Sequence, residues 1–257
     1  MAHGPDFMAP GELEHRRWLA SLVDVAVAGT LVDLGCGNGR DLALIAERAR
    51  PDTSLIGMDV SAAKLDEARE RLGTDKRITL VRHDVGERLP LADASVDVAF
   101  SNNLLECVGD PQKFLREVHR VLRPGGQVVC AHWDWDSQSW NGSDKDLIRR
   151  AVHAWADWQQ DWMEHADGWM GRRLWGVFHQ SGRFEGAVAT RVLTNTEFAD
   201  GWFGHARIHE LEHLVGQGLL SAEEHQRLLA DAGAFAAAGR YFYSICCYVY
   251  VGRKRVG

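Results

Sequence analysis

Between Thr30 and Cys130 the chain alternates short apolar runs with longer stretches of helical period. The runs LVDL, SLIGMDV, ITLVRHD, VDVAFS and QVVCAHW are apolar nearly throughout, whereas DLALIAERAR, AAKLDEARERL and PQKFLREVHRVL space their apolar residues three and four apart. Strands that are apolar on both faces and separated by amphipathic helices predict a parallel sheet covered on both sides. The class is α/β, doubly wound.

On the N-terminal side, MAHGPDFMAP reads as a loose end, and helical period starts at Glu12, with Leu13, Trp18, Leu19, Leu22 and Val23 on one side. Beyond Trp133 the pattern predicts a tryptophan-rich helical region from about Asp144 to Met163, then a helix in MGRRLWGVFHQSG ended by Gly182. A strand-like segment from Phe184 to Leu193, a helical pair around Glu197 to Ala238 and a last strand in YFYSICCYVYVG follow. Together these give a seven-stranded, mostly parallel, Rossmann-like sheet with an antiparallel last strand and an inserted helical cap. The expected organisation is a single domain over 1–257. Within it, 1–29 is an N-terminal helical lid, 30–132 a cofactor-binding core, 133–183 a Trp-rich cap, and 184–257 the C-terminal hairpin strands with a helical insertion.

Composition narrows the function. With 46% hydrophobic and 25% charged residues over 257 positions the chain is an ordinary globular one, and a net charge of -7 argues against nucleic acid, whose binders present a basic face. Arg253-Lys254-Arg255 reads as a solvated tail. Five cysteines form no C-x-x-C pair, which suits free thiols in a reducing compartment. No leader and no run of about eighteen apolar residues is present, so the expectation is a cytoplasmic protein, monomer or homodimer, that does not meet a membrane. His209 and His213 have H-x-x-x-H spacing without a third ligand close by, and no metal is expected.

The candidate chemistry begins in Asp33-Leu34-Gly35-Cys36-Gly37-Asn38-Gly39. Glycines here permit a tight strand-to-helix turn and close approach of a ligand to backbone N–H groups. The spacing is G-x-G-x-G, not the dinucleotide G-x-G-x-x-G, and Asp33 beside it suits a cationic cofactor better than a pyrophosphate. Asp59 follows twenty residues after Gly39 at a strand end, where a carboxylate accepts ribose hydroxyls. Asp84 after the third strand is placed to receive an adenine amine, with Val60 and Val85 to sandwich the ring.

LVDLGCGNGR, the acid in MDV, HD after the third strand, VDVAFSNNLLECVGD on the fourth and VLRPGG before the fifth resemble the successive motifs of class I S-adenosylmethionine-dependent methyltransferases. The resemblance covers about Leu31 to Ala131 and is nearest to the small-molecule type related to the ubiquinone/menaquinone methylases. DWDSQSW, VLTNTEF and GRYFYSICCYVYVGRK resemble, more loosely, segments of natural-product members. The resemblance implies S-adenosyl-L-methionine as cofactor. Gly35, Gly37 and Gly39 would run along its methionine portion, Asp59 hold the ribose and Asp84 the adenine. Ser101 or Asn102 would meet the methionine end, and Arg16 or Arg17 would pair with its carboxylate. The chain departs from the quinone methylases at Glu106, where a histidine is frequent.

The acceptor is read from the strand end and the cap. His132, Trp133, Asp134, Trp135, Asp136 and Trp140 follow the fifth strand, where open α/β sheets place their ligands. His132 is a candidate base, or else a satisfied histidine at a strand end, and Asp134 the preferred acceptor-binding acid. If the strand continues, the acids and the rings face opposite sides. Trp155, Trp158, Trp162, His165 and Trp169 would form one stripe if the helix ran that far, which Gly168 opposes. Such a stripe packs a core or lines a pocket. Trp133, Trp135, Trp140, Trp158, Trp162 and Tyr241 are the candidate substrate-binding rings. Rings with carboxylates suit a cationic or heteroaromatic acceptor.

The expected activity is methylation of a small metabolite at an amine or ring nitrogen. O-methylation of a phenol or other hydroxyl with His132 as base is the alternative. A nicotinamide-dependent oxidoreductase uses the same sheet but would need the missing G-x-G-x-x-G, and a non-catalytic cofactor-binding protein is separated only by turnover.

Overall fold

The computed structural model describes residues 10–161 and 163–255. Trp162 lies outside the described residues. Seven strands form one sheet: β1 Thr30–Leu34, β2 Ser54–Asp59, β3 Ile78–Arg82, β4 Val96–Asn102, β5 Leu122–Trp140, β6 Phe184–Asn195 and β7 Tyr243–Lys254. Their order is β3-β2-β1-β4-β5-β7-β6. The first five pair in parallel. Strand β7 runs antiparallel to both β5 and β6, so the expected antiparallel last strand is present.

The strand order reverses between β1 and β4, and their carboxyl ends flank the crevice in which such sheets bind ligands. The chain leaves β1 directly into the glycine loop and leaves β4 into Asn102-Asn103. Asn103 has φ 54, a left-handed conformation that asparagine tolerates better than most residues. Its N–H donates to the Ala131 carbonyl and its Oδ1 accepts from Trp133 N, both at 2.9 Å. One residue thereby fixes the end of β4 against the end of β5.

Two apolar layers cover the sheet. On one face lie α1 Pro10–Ser21, α2 Arg40–Ala46, α3 Ala62–Leu72, α5 Lys145–Ala156, α7 Phe203–Glu210, α8 Glu212–Gly216 and α9 Ala222–Ala237. The other face carries α4 Pro111–Val121 and α6 Met170–Ser181, packed through Phe114, Leu115, Val118, Leu174 and Phe178. The sequence locates these helices by their starts: Asp110 caps α4 with Pro111 at its first position, and Ser221 and Glu224 form a reciprocal capping box on α9.

Two expectations are corrected. The helix predicted from Asp144 to Met163 stops at Ala156, and the helical pair predicted over Glu197 to Ala238 is three helices. The first follows from a close approach: a Cβ on Gly168 would lie 2.3 Å from the Ala156 carbonyl oxygen. The returning chain crosses the end of α5 where a further turn would have to run. Trp155, Trp158 and Trp169 therefore share no helical stripe. Among the described residues no helix is long and apolar enough to cross a membrane, and no group of three or more His, Cys, Asp or Glu is placed to hold a metal ion.

Candidate active site

Gly35, Gly37 and Gly39 all take positive φ, at 73°, 52° and 76°. A Cβ on Gly35 or Gly39 would strike Leu104 or Leu72, whereas one on Gly37 would meet nothing within 4 Å. The outer two glycines let the loop pack on the protein, and the middle one borders open space at the crevice. The Gly37 N–H donates to Asp59 Oδ2 and the Ser61 N–H to Asp59 Oδ1, each at 2.8 Å. Asp59 thus ties the loop to the end of β2 with lone pairs left on both oxygens.

Asp33 is only 2% exposed. Burial, and then the charges of Asp41 and Asp59, push its carboxyl well above the ordinary range. Its Oδ2 has no hydrogen-bond partner, and neither do the buried Asp41 Oδ1 and Asn102 Oδ1. The three residues sit at β1, the first turn of α2 and the end of β4. Three unsatisfied acceptors around a glycine loop fit a group that brings N–H donors and positive charge. The ammonium of S-adenosylmethionine brings both, and its sulfonium adds a second positive charge.

Arg16 donates to Asp41 Oδ2 at 2.7 Å and to Glu12 at 2.9 Å. Asn102 Nδ2 donates to the same Asp41 oxygen at 2.9 Å. Arg17 is exposed. Ser101 turns away, its hydroxyl against Cys130 Sγ at 3.3 Å. Asp84 is exposed and accepts from Gly86 N at 2.9 Å, Val60 is 60% exposed, and Val85 is buried.

A cleft of about 290 Å³ opens beside Asn103. Glu106, Trp135, Trp155, Trp158 and Arg207 line it, with Glu210 and His213 on the α7–α8 side. The Trp135 indole N–H donates to Glu106 Oε2 at 2.8 Å. The Arg207 guanidinium sits 5.0 Å from the Phe203 ring centre, 5.7 Å from Trp155 and 6.0 Å from Trp135. It also donates to Glu210. Burial raises the carboxyls of both Glu106 and Glu210. His213 lies 5.7 Å from Trp158, ring against ring.

The predicted acceptor residues separate. Strand β5 does continue, so the acids and rings do face opposite sides. Asp134 is fully buried against α6, where Arg172 grips both its oxygens, and Asp136 accepts from Trp169 on the same side. Trp133 is buried and stacked on His15 at 4.3 Å, Trp140 packs on Tyr243 farther along β5, and Tyr241 is buried near Phe198. Of the predicted rings among the described residues, only Trp135 and Trp158 line the cleft. His132 is fully buried, its Nδ1 2.7 Å from the Trp133 carbonyl oxygen and its Nε2 3.8 Å from Glu106 Oε1.

Sequence reading passed over Asp41, Asn103, Arg207 and Glu210, named Trp155 only as part of the helical stripe, and treated Glu106 only as a departure from a pattern. Asp41 carried a signal, an acid in the first helical turn after a glycine loop. Arg207 and Glu210 carried none, since nothing local brings α7 to the end of β5.

Residues 32–130 match a family model described as a methyltransferase domain. An uncharacterized 37.1 kDa protein in transposon TN4556 of Streptomyces fradiae is 32% identical over 235 residues, covering 90% of this chain and 64% of that protein. The ubiquinone/menaquinone biosynthesis C-methyltransferase UbiE of Desulfotalea psychrophila is 34% identical over 118 residues, 45% of this chain and 46% of its own. The chain therefore spans under two thirds of these relatives. The crystal structure of YcgJ protein from Bacillus subtilis shares the fold with a TM-score of 0.61 at 14% identity, over 95% of this chain and 100% of that one.

Proposed function

We propose, from the premise that residues 32–130 form a class I S-adenosylmethionine-dependent methyltransferase domain, that the chain methylates a small molecule held in the cleft between Asn103, Glu106 and the tryptophans. The observation that carries this reading is the trio of buried, unpartnered acceptors on Asp33, Asp41 and Asn102 around the glycine loop, next to a ring-lined cleft. Bound there, S-adenosylmethionine supplies a methyl group on a sulfonium, which leaves as a neutral thioether. Asp59 would hold the ribose, Asp84 the adenine, and Asp33 and Asp41 the ammonium.

The protein's share of such chemistry is positioning and exclusion of water. Rings on Trp135, Trp155 and Trp158 grip a flat or cationic acceptor, and the stacking of Arg207 on two of them and Phe203 supports their suitability for a cation. Carboxylates on Glu106 and Glu210 add to that preference, so an amine or ring nitrogen is the favoured methyl acceptor. O-methylation of a phenol is the second reading, favoured by the approach of His132 to Glu106. A methyl-transfer screen over amines, phenols and heterocycles with labelled cofactor, read by mass spectrometry, decides between them. Label on nitrogen acceptors supports the first reading, label on hydroxyls the second, and none on any acceptor by a folded, cofactor-binding protein removes the catalytic claim.

A further inference from the structure

The geometry points to a two-residue proton relay in which Glu106 at the cleft takes the proton of the acceptor and His132 behind it shares that proton. The relay rests on the proposed methyl transfer and names the group that would prepare the acceptor for it.

His132 lies in β5. Its Nδ1 lies 2.7 Å from the Trp133 carbonyl oxygen, and a carbonyl only accepts, so Nδ1 must carry the hydrogen. In the neutral ring Nε2 is then a bare lone pair. That lone pair faces Glu106 Oε1 at 3.8 Å, with no other partner. The other Glu106 oxygen already accepts the Trp135 indole N–H at 2.8 Å.

Two bare acceptors face each other here, and the buried His132 Nε2 is left unsatisfied. One proton between them removes the conflict, whether it sits on Oε1 or on Nε2. The pair is therefore one unit that shares a proton. Burial raises the Glu106 carboxyl, and the facing His132 opposes that shift. The other charged groups facing Glu106 are Asp167 before α6, Arg207 and Glu210 on α7, and His213 on α8.

The order of the two residues assigns their roles. His132 is fully buried and does not line this cleft, so it cannot reach an acceptor itself; Glu106 lines the cleft. With the pair carrying no extra proton, the acceptor N–H or O–H bond breaks, a Glu106 O–H bond forms, and the electron pair stays on the acceptor atom. Proton transfer from Oε1 to Nε2 then leaves an imidazolium beside a carboxylate, a neutral pair overall. Glu106 is the catalytic residue and His132 a positioning residue that makes it a better base.

Nuclear magnetic resonance on the full chain tests this without turnover, using ring-15N histidine and carboxyl-13C glutamate across pH 5–8. A shared proton predicts that the His132 Nε2 and Glu106 carboxyl signals change together across this range and that E106Q abolishes the shared change. E106Q keeps the shape and the acceptor for Trp135. A His132 titration unchanged by E106Q, with Nε2 bare throughout, overturns the relay. S-adenosylhomocysteine binding measured on the same samples separates the failures: binding with no coupling removes the relay alone, and no binding removes the methyl-transfer reading and the relay with it.

Discussion

Arg16 of α1 donates to Asp41 Oδ2 of α2 at 2.7 Å, and Asn102 at the end of β4 donates to the same oxygen at 2.9 Å. Helix α1 is thereby clasped to the glycine-loop end of the sheet through the Asp41 carboxylate. Arg16→Met would leave Asp41 and Glu12 without that cation. Stability should fall by about 1–3 kcal/mol, the cost of stranding a buried acceptor, and S-adenosylhomocysteine should dissociate faster. Urea unfolding and stopped-flow dissociation check the two effects.

Asp59 anchors the loop through Gly37 N and Ser61 N, and it is the proposed ribose partner. Asp59→Ala should weaken S-adenosylhomocysteine binding by about 1.5–3 kcal/mol, the range of a hydrogen bond to a charged group. Calorimetry showing full affinity in this variant would mean that the ribose is held elsewhere.

Asp134 illustrates how a plausible chemical residue becomes a structural one. It is fully buried and held by Arg172 on the α6 face, away from the cleft. Arg172→Ala should cost about 3–5 kcal/mol because an uncompensated buried charge remains. The double variant with Asp134→Leu and Arg172→Leu should recover most of that loss, and Asp134→Asn, once folded, should keep its methyl-transfer rate. A folded Asp134→Asn protein with normal cofactor affinity but no turnover would return the residue to catalysis.

His15 supplies a pH prediction. Burial, then the charge of Arg16, lowers it from 6.5 to about 3 in the folded protein. The unfolded chain therefore binds more protons between these values, so this contribution is fully present above pH 6.5 and is lost as pH falls toward 3. At pH 5 the loss relative to pH 7 should approach about 2 kcal/mol. His15→Phe keeps a ring against Trp133 and should flatten the pH dependence in urea unfolding between pH 7 and 5. An unchanged slope would show that other groups set it.

The half proposed to hold the cofactor was readable because its signals are local. Glycines with positive φ, an acid at a strand end and capped helix starts each act within a few residues, and LVDLGCGNGR, Asp59 and the alternation from Thr30 to Cys130 lie where they were expected. The acceptor half was not, because its cleft is made by remote elements. Trp135 and Glu106 come from the ends of β5 and β4, while Arg207 and Glu210 come from α7, about a hundred residues later in a segment whose position depends on β6 and β7 pairing. The tryptophan pattern also misled: Trp133 and Trp140 are core, and Trp155 and Trp158 reach one cleft from a helix end and a loop.

The central claim is that the glycine loop with Asp33, Asp41 and Asp59 holds a cationic nucleoside cofactor. Isothermal titration of the folded chain with S-adenosylhomocysteine, alongside NAD as a control, tests it most directly. Saturable one-to-one heat with S-adenosylhomocysteine and none with NAD is the predicted result. No heat with S-adenosylhomocysteine, or equal binding of NAD, would contradict the account.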